Sequence, residues 1–151
     1  MNEIDMFWNT FLDNTGRDRD TKYLEVFHFH FTEYWANELL RLVLEGTKRA
    51  TSSSYKSFKI KGLKIPETGD LSIVTDWKGT PRCIIETSTV TILPFKDMTY
   101  DICKREGEDE CLDTWQKGHI SFFEGEGKEL GYEFDEEMLI VFEDFEVVYR
   151  E

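Results

Sequence analysis

Three things are scarce in this chain. Cysteine occurs only as Cys83, Cys103 and Cys111 among 151 residues, with no Cys-x-x-Cys spacing. An odd, scattered set builds neither a disulfide framework nor a zinc knuckle. It predicts a reduced, cytoplasmic setting. Long apolar runs are missing, and none approaches the roughly 18 residues that a membrane helix needs. The start Met1-Asn2-Glu3-Ile4-Asp5 is acidic and leads into no apolar core segment, so no signal peptide is expected. Cations are the third shortage: 18 Lys and Arg against 31 Asp and Glu leave a formal net charge of −13. Such acidity disfavours sequence-blind binding to long duplexes, which needs many phosphate contacts. It still allows a small pocket that takes a nucleoside or a few nucleotides.

What is present argues for a folded domain. Hydrophobic residues make up 40% and aromatics 15%, too many for a disordered chain despite the charge. A chain of this length forms one domain and buries about 68–70% of its unfolded surface. No internal repeat is visible.

The few cations are unevenly placed. Gly46 to Pro66 holds Lys48, Arg49, Lys56, Lys59, Lys61 and Lys64 and no acid. Glu106 to Glu151 holds sixteen Asp or Glu against three Lys or Arg. A basic island on a repelling background predicts an anion-binding pocket. The alternative is that Lys56, Lys59 and Lys61 line a solvated strand.

Periodicity outlines the elements. Met6, Phe7, Phe11 and Leu12 have helical spacing within residues 1–12. Asn14 to Thr21 reads as a loop. Phe27-His28-Phe29-His30-Phe31 alternates with period two and predicts an extended segment with three Phe on one face. Thr32 suits an N-cap. The following helix runs to about Glu45, with Trp35, Leu39, Leu42 and Val43 as its buried stripe and Gly46 just past its end. Leu71–Trp77 and Arg82–Leu93 read as strands joined by a short turn, and the second, rich in β-branched residues, reads as central. Met98 to Lys104 suggests a short helix. Another helix is expected from Cys111 to Phe123, with Leu112, Trp115, His119 and Phe122 on its apolar stripe. Gly125–Gly131 reads as a mobile loop. Met138–Phe142 and Phe145–Tyr149 supply the last strands, with a bend at Glu143-Asp144. The total is α+β: a small, mainly antiparallel sheet or barrel with flanking helices.

One ordered set of segments carries a resemblance. The helix Glu33–Glu45 runs into Gly46-x-Lys48-Arg49-Ala50-Thr51. Then come Gly69-Asp70, the strand Cys83–Thr89, Pro94-Phe95, Glu106-Gly107-Glu108, and Trp115-x-x-x-His119-x-x-Phe122-Phe123. In this order they resemble the ASCH domain, a branch of the PUA-like β-barrel superfamily, over roughly residues 24–149. Residues 1–23 would be an N-terminal helical extension of a single domain. The resemblance implies a barrel with a cleft beside the Gly-x-Lys-x-x-Thr loop. PUA-like relatives bind RNA. One ASCH branch is similar to amidohydrolases that deacylate N4-acetylcytidine, and another resembles metal-dependent ribonucleases. No cofactor, bound metal or membrane partner is implied, and a homodimer is left open.

By motif position, the resemblance puts the amidohydrolase's catalytic groups at Lys48, Thr51 and Glu108. Arg49, Ser53, Tyr55, Lys56, Trp77 and His119 are candidate ligand contacts. Ser53 stands where the amidohydrolase pattern has a basic residue, and Phe29-His30 where related chains often carry Phe-Gly. Amide hydrolysis needs an activated nucleophile and support for the developing oxyanion. Thr51 could supply the hydroxyl. Lys48 would act as a base if neutral, or as an oxyanion or phosphate partner if charged; the sequence leaves both open. The acidic run 106–110 reads either as a helix N-terminus in solvent or as a clamp for a divalent cation. His28 and His30 read as an ordinary half-exposed strand. His119 reads either as a core histidine or as one facing a ligand. Trp35 and Trp115 are assigned to the core.

Overall fold

The computed structural model describes residues 1–151. Five strands form one sheet: β1 (Glu25–Phe27), β2 (Ala50–Ser54), β3 (Leu71–Thr75), β4 (Pro81–Pro94) and β5 (Leu139–Arg150). Their order is β1-β3-β4-β5-β2. β1 runs parallel to β3, and every other pairing is antiparallel. The sheet curls into a half-barrel. β4 is central and long, with 14 residues. Its register against β5 shifts at Ile84/Ile85 and again at Thr87/Thr89. Such bulges bend a strand and increase its twist, which lets one long strand pair serve both ends of a curled sheet.

Three helices cover the sheet. α1 (Glu3–Thr15) starts where the Asn2 side chain accepts a hydrogen bond from Asp5 N, and buries Phe7, Trp8, Phe11 and Leu12. They pack on Leu71, Ile73 and Ile84. α2 (Glu33–Leu44) is capped by Thr32, whose Oγ1 accepts from Trp35 N at 3.4 Å. It lays Leu39, Leu40 and Val43 on Val74, Ile85 and Phe145. After α3 (Tyr55–Lys61) and the short α4 (Tyr100–Cys103), α5 (Leu112–Leu130) buries Trp115 and Phe123 against Phe95, Ile140 and Phe142. Each fully buried side chain of this size contributes about 1.5–3 kcal/mol. No helix is long and apolar enough to cross a membrane.

Several local expectations change. The buried stripe of α2 is Ala36, Leu39, Leu40 and Val43, while Trp35 is 45% exposed. Both stripes have helical spacing; the one anchored on small Ala36 lets the helix approach the sheet closely. The Phe27–Phe31 alternation stops at Phe27, because His30 takes a left-handed φ of 59°. Phe29 is then buried and Phe31 is 47% exposed. Residues 55–61 form a helix rather than a solvated strand, since Ser54 Oγ accepts from Ser57 N and Gly62 closes the last turn at φ 68°. The expected mobile loop at 125–131 is mostly helix. A Cβ on Gly127 would lie 2.2 Å from the Tyr132 carbonyl oxygen, so that glycine serves close packing instead of breaking the chain. β5 passes through Glu143-Asp144 without ending there.

Candidate functional site

Glycines set the backbone of the site. After α2, Gly46 turns the chain at φ 83°, and the N–H groups of Thr47 and Lys48 both donate to Leu42 O. Arg49 N donates to Arg105 O at 2.9 Å, which ties the start of β2 to the 3-10 turn Lys104–Glu106. Arg105 in turn grips Asp144 with two bonds of 2.8 and 2.9 Å. Gly107 follows at φ 71°, and a Cβ there would lie 2.3 Å from the Thr47 carbonyl oxygen. Only glycine allows this approach. It brings Glu106 and Glu108, on either side of Gly107, to Lys48.

Lys48 is 2% exposed. Its Nζ donates to Ala50 O at 2.8 Å, to Glu108 Oε2 at 2.5 Å and to Glu106 Oε1 at 3.5 Å. Burial by itself would lower the Lys48 pKa; the charges of Glu108 and Glu106 outweigh burial and raise it. The group is an ammonium with all three N–H bonds directed at acceptors. Of the two roles left open by the sequence, the oxyanion partner fits this state and the neutral base does not.

Glu106 is the centre of the cluster, with 1% exposure. It accepts from Trp115 Nε1 at 2.7 Å and Ser52 Oγ at 2.8 Å, besides Lys48. His119 Nε2 lies 3.4 Å from Oε1. Burial pushes the carboxyl up, but the charges of His119 and Lys48 and these hydrogen bonds bring it down to about 2. His119 stacks on Trp115 at 4.1 Å, and its Nδ1 lies 2.8 Å from Trp115 O. Both of its ring nitrogens face acceptors, an arrangement that favours the doubly protonated ring. Burial would lower its pKa, yet Glu106 turns the net shift upward. The ammonium and the imidazole thus face the carboxylates of Glu106 and Glu108.

A cleft of about 440 Å³ opens above this cluster. Lys48, Thr51, Ser52, Glu106, Glu108 and His119 lie along its polar side, and Phe29, His30, Phe31, Trp35 and Phe122 form its aromatic side. The Thr51 hydroxyl has no hydrogen-bond partner within the protein. The phenyl rings of Phe31 and Phe122 stack at 5.0 Å. A separate groove of about 400 Å³ beside α2 lacks such a constellation. Its Arg41 is held by Glu38 and Glu45, and its Arg150 by the Leu44 carbonyl.

Of the residues singled out from sequence, Lys48, Thr51, Glu108 and His119 meet in this cleft. Arg49, Ser53, Tyr55, Lys56 and Trp77 do not line it. Arg49 is exposed beside Glu146 and Val148. Ser53 pairs with Val141 across β2 and β5. Tyr55 opens α3, next to the Lys59 ammonium. Lys56 Nζ donates to Glu133 O at 3.3 Å. Trp77 sits against the His28 ring at 5.0 Å. The basic island is therefore no single patch. Lys48 turns inward, three lysines ride on α3, and Lys64 is paired with Asp70 at 2.9 Å. No unpaired cation lines the cleft, which overturns the anion-pocket expectation. Nor does the acidic run 106–110 act together, for Glu106 is interior while Glu110 is exposed. No group of three or more His, Cys, Asp or Glu side chains is placed to hold a metal ion.

Sequence reasoning missed Glu106, Ser52 and the aromatic wall of His30, Phe31, Trp35 and Phe122. A usable signal existed in Trp115-x-x-x-His119: two polar-tipped rings one helical turn apart on an apolar stripe require a shared buried partner.

The sequence profile of the ASCH domain matches residues 25–149. A crystal structure of an ASCH domain from Lactobacillus crispatus superposes with a TM-score of 0.86 at 36% identity, covering 97% of this chain and 94% of that one. A crystal structure of a protein from Enterococcus faecalis gives a TM-score of 0.88 at 32% identity, covering 97% of this chain and 88% of that one. No curated protein matches the chain significantly in sequence.

Proposed function

The chain belongs to the ASCH domain family, and on that premise we propose that the cleft receives one pyrimidine nucleoside, free or within RNA, and hydrolyses an acyl amide on its exocyclic amine. The family as a whole implies a role in RNA binding. The volume of about 440 Å³ suits a small ligand rather than a duplex. The mutually paired groups of the floor favour an uncharged heterocycle over a polyphosphate.

The observation that carries the hydrolytic reading is the carboxylate-paired Lys48 ammonium in the same cleft as a free Thr51 hydroxyl and the partly exposed Glu108. In this reading Thr51 Oγ1 attacks the acyl carbon while Glu108 accepts its proton. Protonation of Glu108 loosens its bond to Lys48 Nζ, and the freed N–H of the ammonium supports the oxyanion. Collapse expels the pyrimidine amine, which takes the proton back from Glu108. Water, deprotonated by Glu108, then attacks the acyl-Thr51 ester, and Glu108 returns that proton to the departing Thr51 Oγ1 as the carboxylic acid leaves.

Chromatography of N4-acetylcytidine incubated without added metal tests this. Wild-type protein is expected to yield cytidine, and Lys48→Ala and Glu108→Ala none. Full activity in either variant would remove that residue from the mechanism. A wild type that binds the nucleoside without converting it would be a non-catalytic module. One that does neither would overturn the reading.

A further inference from the structure

His30 is the only residue other than glycine with a positive φ, at 59°. Left-handed backbone is unfavourable for a residue bearing a Cβ, although His, Asn and Asp reach it more often than others. Glycine would occupy the position without strain. Retained backbone strain in a cleft is a reason to look for what the side chain does there.

The imidazole lies among aromatic rings at the cleft mouth. Its centroid is 4.6 Å from that of Phe31, 4.9 Å from Phe122 and 6.2 Å from Trp35. Phe31 N donates to its Nδ1 at 2.9 Å. A nitrogen that accepts carries no proton, so in the neutral ring the proton is on Nε2. Burial and the nearby charge of His119 both lower the His30 pKa, which keeps the ring neutral. Nε2–H has no partner within the protein, and the residue lines the cleft. The two histidines are thus unlike: His119 has both nitrogens committed to the protein, and His30 holds one donor in reserve.

We propose that His30 is a ligand-contacting residue, its Nε2–H donating to a ring carbonyl of a planar heterocycle that lies against Phe31, Phe122 and Trp35. This rests on the nucleoside reading above and assigns that ligand's recognition to the aromatic wall. Base–aromatic stacking tolerates any base. The single donor from His30 selects rings with an exposed carbonyl, such as pyrimidinones.

Calorimetric titration with cytidine, paired with thermal melting, tests the assignment on wild type, His30→Gly and His30→Asn. His30→Gly is expected to weaken cytidine roughly tenfold, the scale of one lost hydrogen bond plus a ring contact. Its Tm is expected to equal or exceed that of wild type, because glycine relieves the left-handed backbone. His30→Asn, which tolerates that backbone and brings an amide donor, is expected to lose no more than roughly threefold. A merely structural histidine would give the reverse: a lower Tm with cytidine affinity unchanged. Unchanged affinity in His30→Gly overturns this assignment alone. A wild type that binds no cytidine overturns both it and the nucleoside reading.

Discussion

Two glutamates of this half-barrel, Glu106 fully buried and Glu143 half-buried, titrate in opposite directions. Glu106 meets Lys48, His119, Trp115 and Ser52, and is held down to about 2. Glu143, on β5, has Thr87 Oγ1 at 2.7 Å as its one hydrogen-bond partner. Burial pushes it up to about 7, and the like charges of Glu25 and Asp70 add to that. Burial opposes ionisation at both sites. The deeper of the two is the more acidic, so partners, not depth, decide the charge of these carboxyls. The Glu106 region is a satisfied ionic cluster at the cleft. The Glu143 region is a carboxyl without a cation.

The sharpest way to break the comparison is to remove one charge from each site. Glu106→Gln strips the cluster of its central anion and leaves buried cations underpaired. A loss of about 3–5 kcal/mol in urea unfolding at pH 7 is expected. A loss under about 1 kcal/mol would mean that the cluster contributes little to the fold. Glu143→Gln has the opposite sign. The folded group holds its proton up to about 7, above the usual 4.5, so the folded state binds more protons than the unfolded one in that window. Stability therefore falls as pH rises from about 4.5 through 7, and Gln removes that fall. A gain of about 2–3 kcal/mol at pH 8, vanishing near pH 4, is expected from a shift of this size. A variant no more stable at pH 8 than wild type would show that Glu143 ionises without cost.

Gly107→Ala comes next. The added methyl must displace the Thr47 backbone and cannot easily adopt the left-handed φ, so a loss of about 1–3 kcal/mol is expected. Because the residue separates Glu106 from Glu108, turnover or nucleoside affinity should fall with it. Loss of stability alone would mean that the acidic loop can shift without affecting the cleft.

The smallest effect concerns His119. Its pKa is raised in the folded state, so its contribution is present below about 6.5 and is lost as pH rises through the folded value. With Glu143→Gln removing the loss between about pH 4.5 and 7, a residual decline above about 6.5 should remain, and His119→Asn should abolish it in the double variant. A residual decline that survives in the double variant would place its source elsewhere.

Much of the fold was legible because its signals are local. Thr32 and Gly46 bracket α2, and the β-branched run 83–92 marks the central strand. Gly125 and Gly127 of α5 misled because they serve contacts with Phe31 and Tyr132, which no local pattern records. Trp35 misled because two faces of α2 carry helical spacing, and only the sheet beneath decides which one it covers. At the site, the motif pointed to Lys48, Thr51 and Glu108, and the cleft contains all three. Glu106 looked like any other acid in a solvated run.

The sequence by itself determined the bounds of α2 and the place of the central strand, for capping, turns and periodicity act over a few residues. It also determined that a lysine, a threonine and acidic residues would be available for one site. Only the tertiary structure decided which carboxylate lies inside, which lysine is buried and which charges those groups carry. The physical reason is separation: Lys48 and Glu106 are 58 residues apart, and the field that each imposes on the other exists only once the chain has closed.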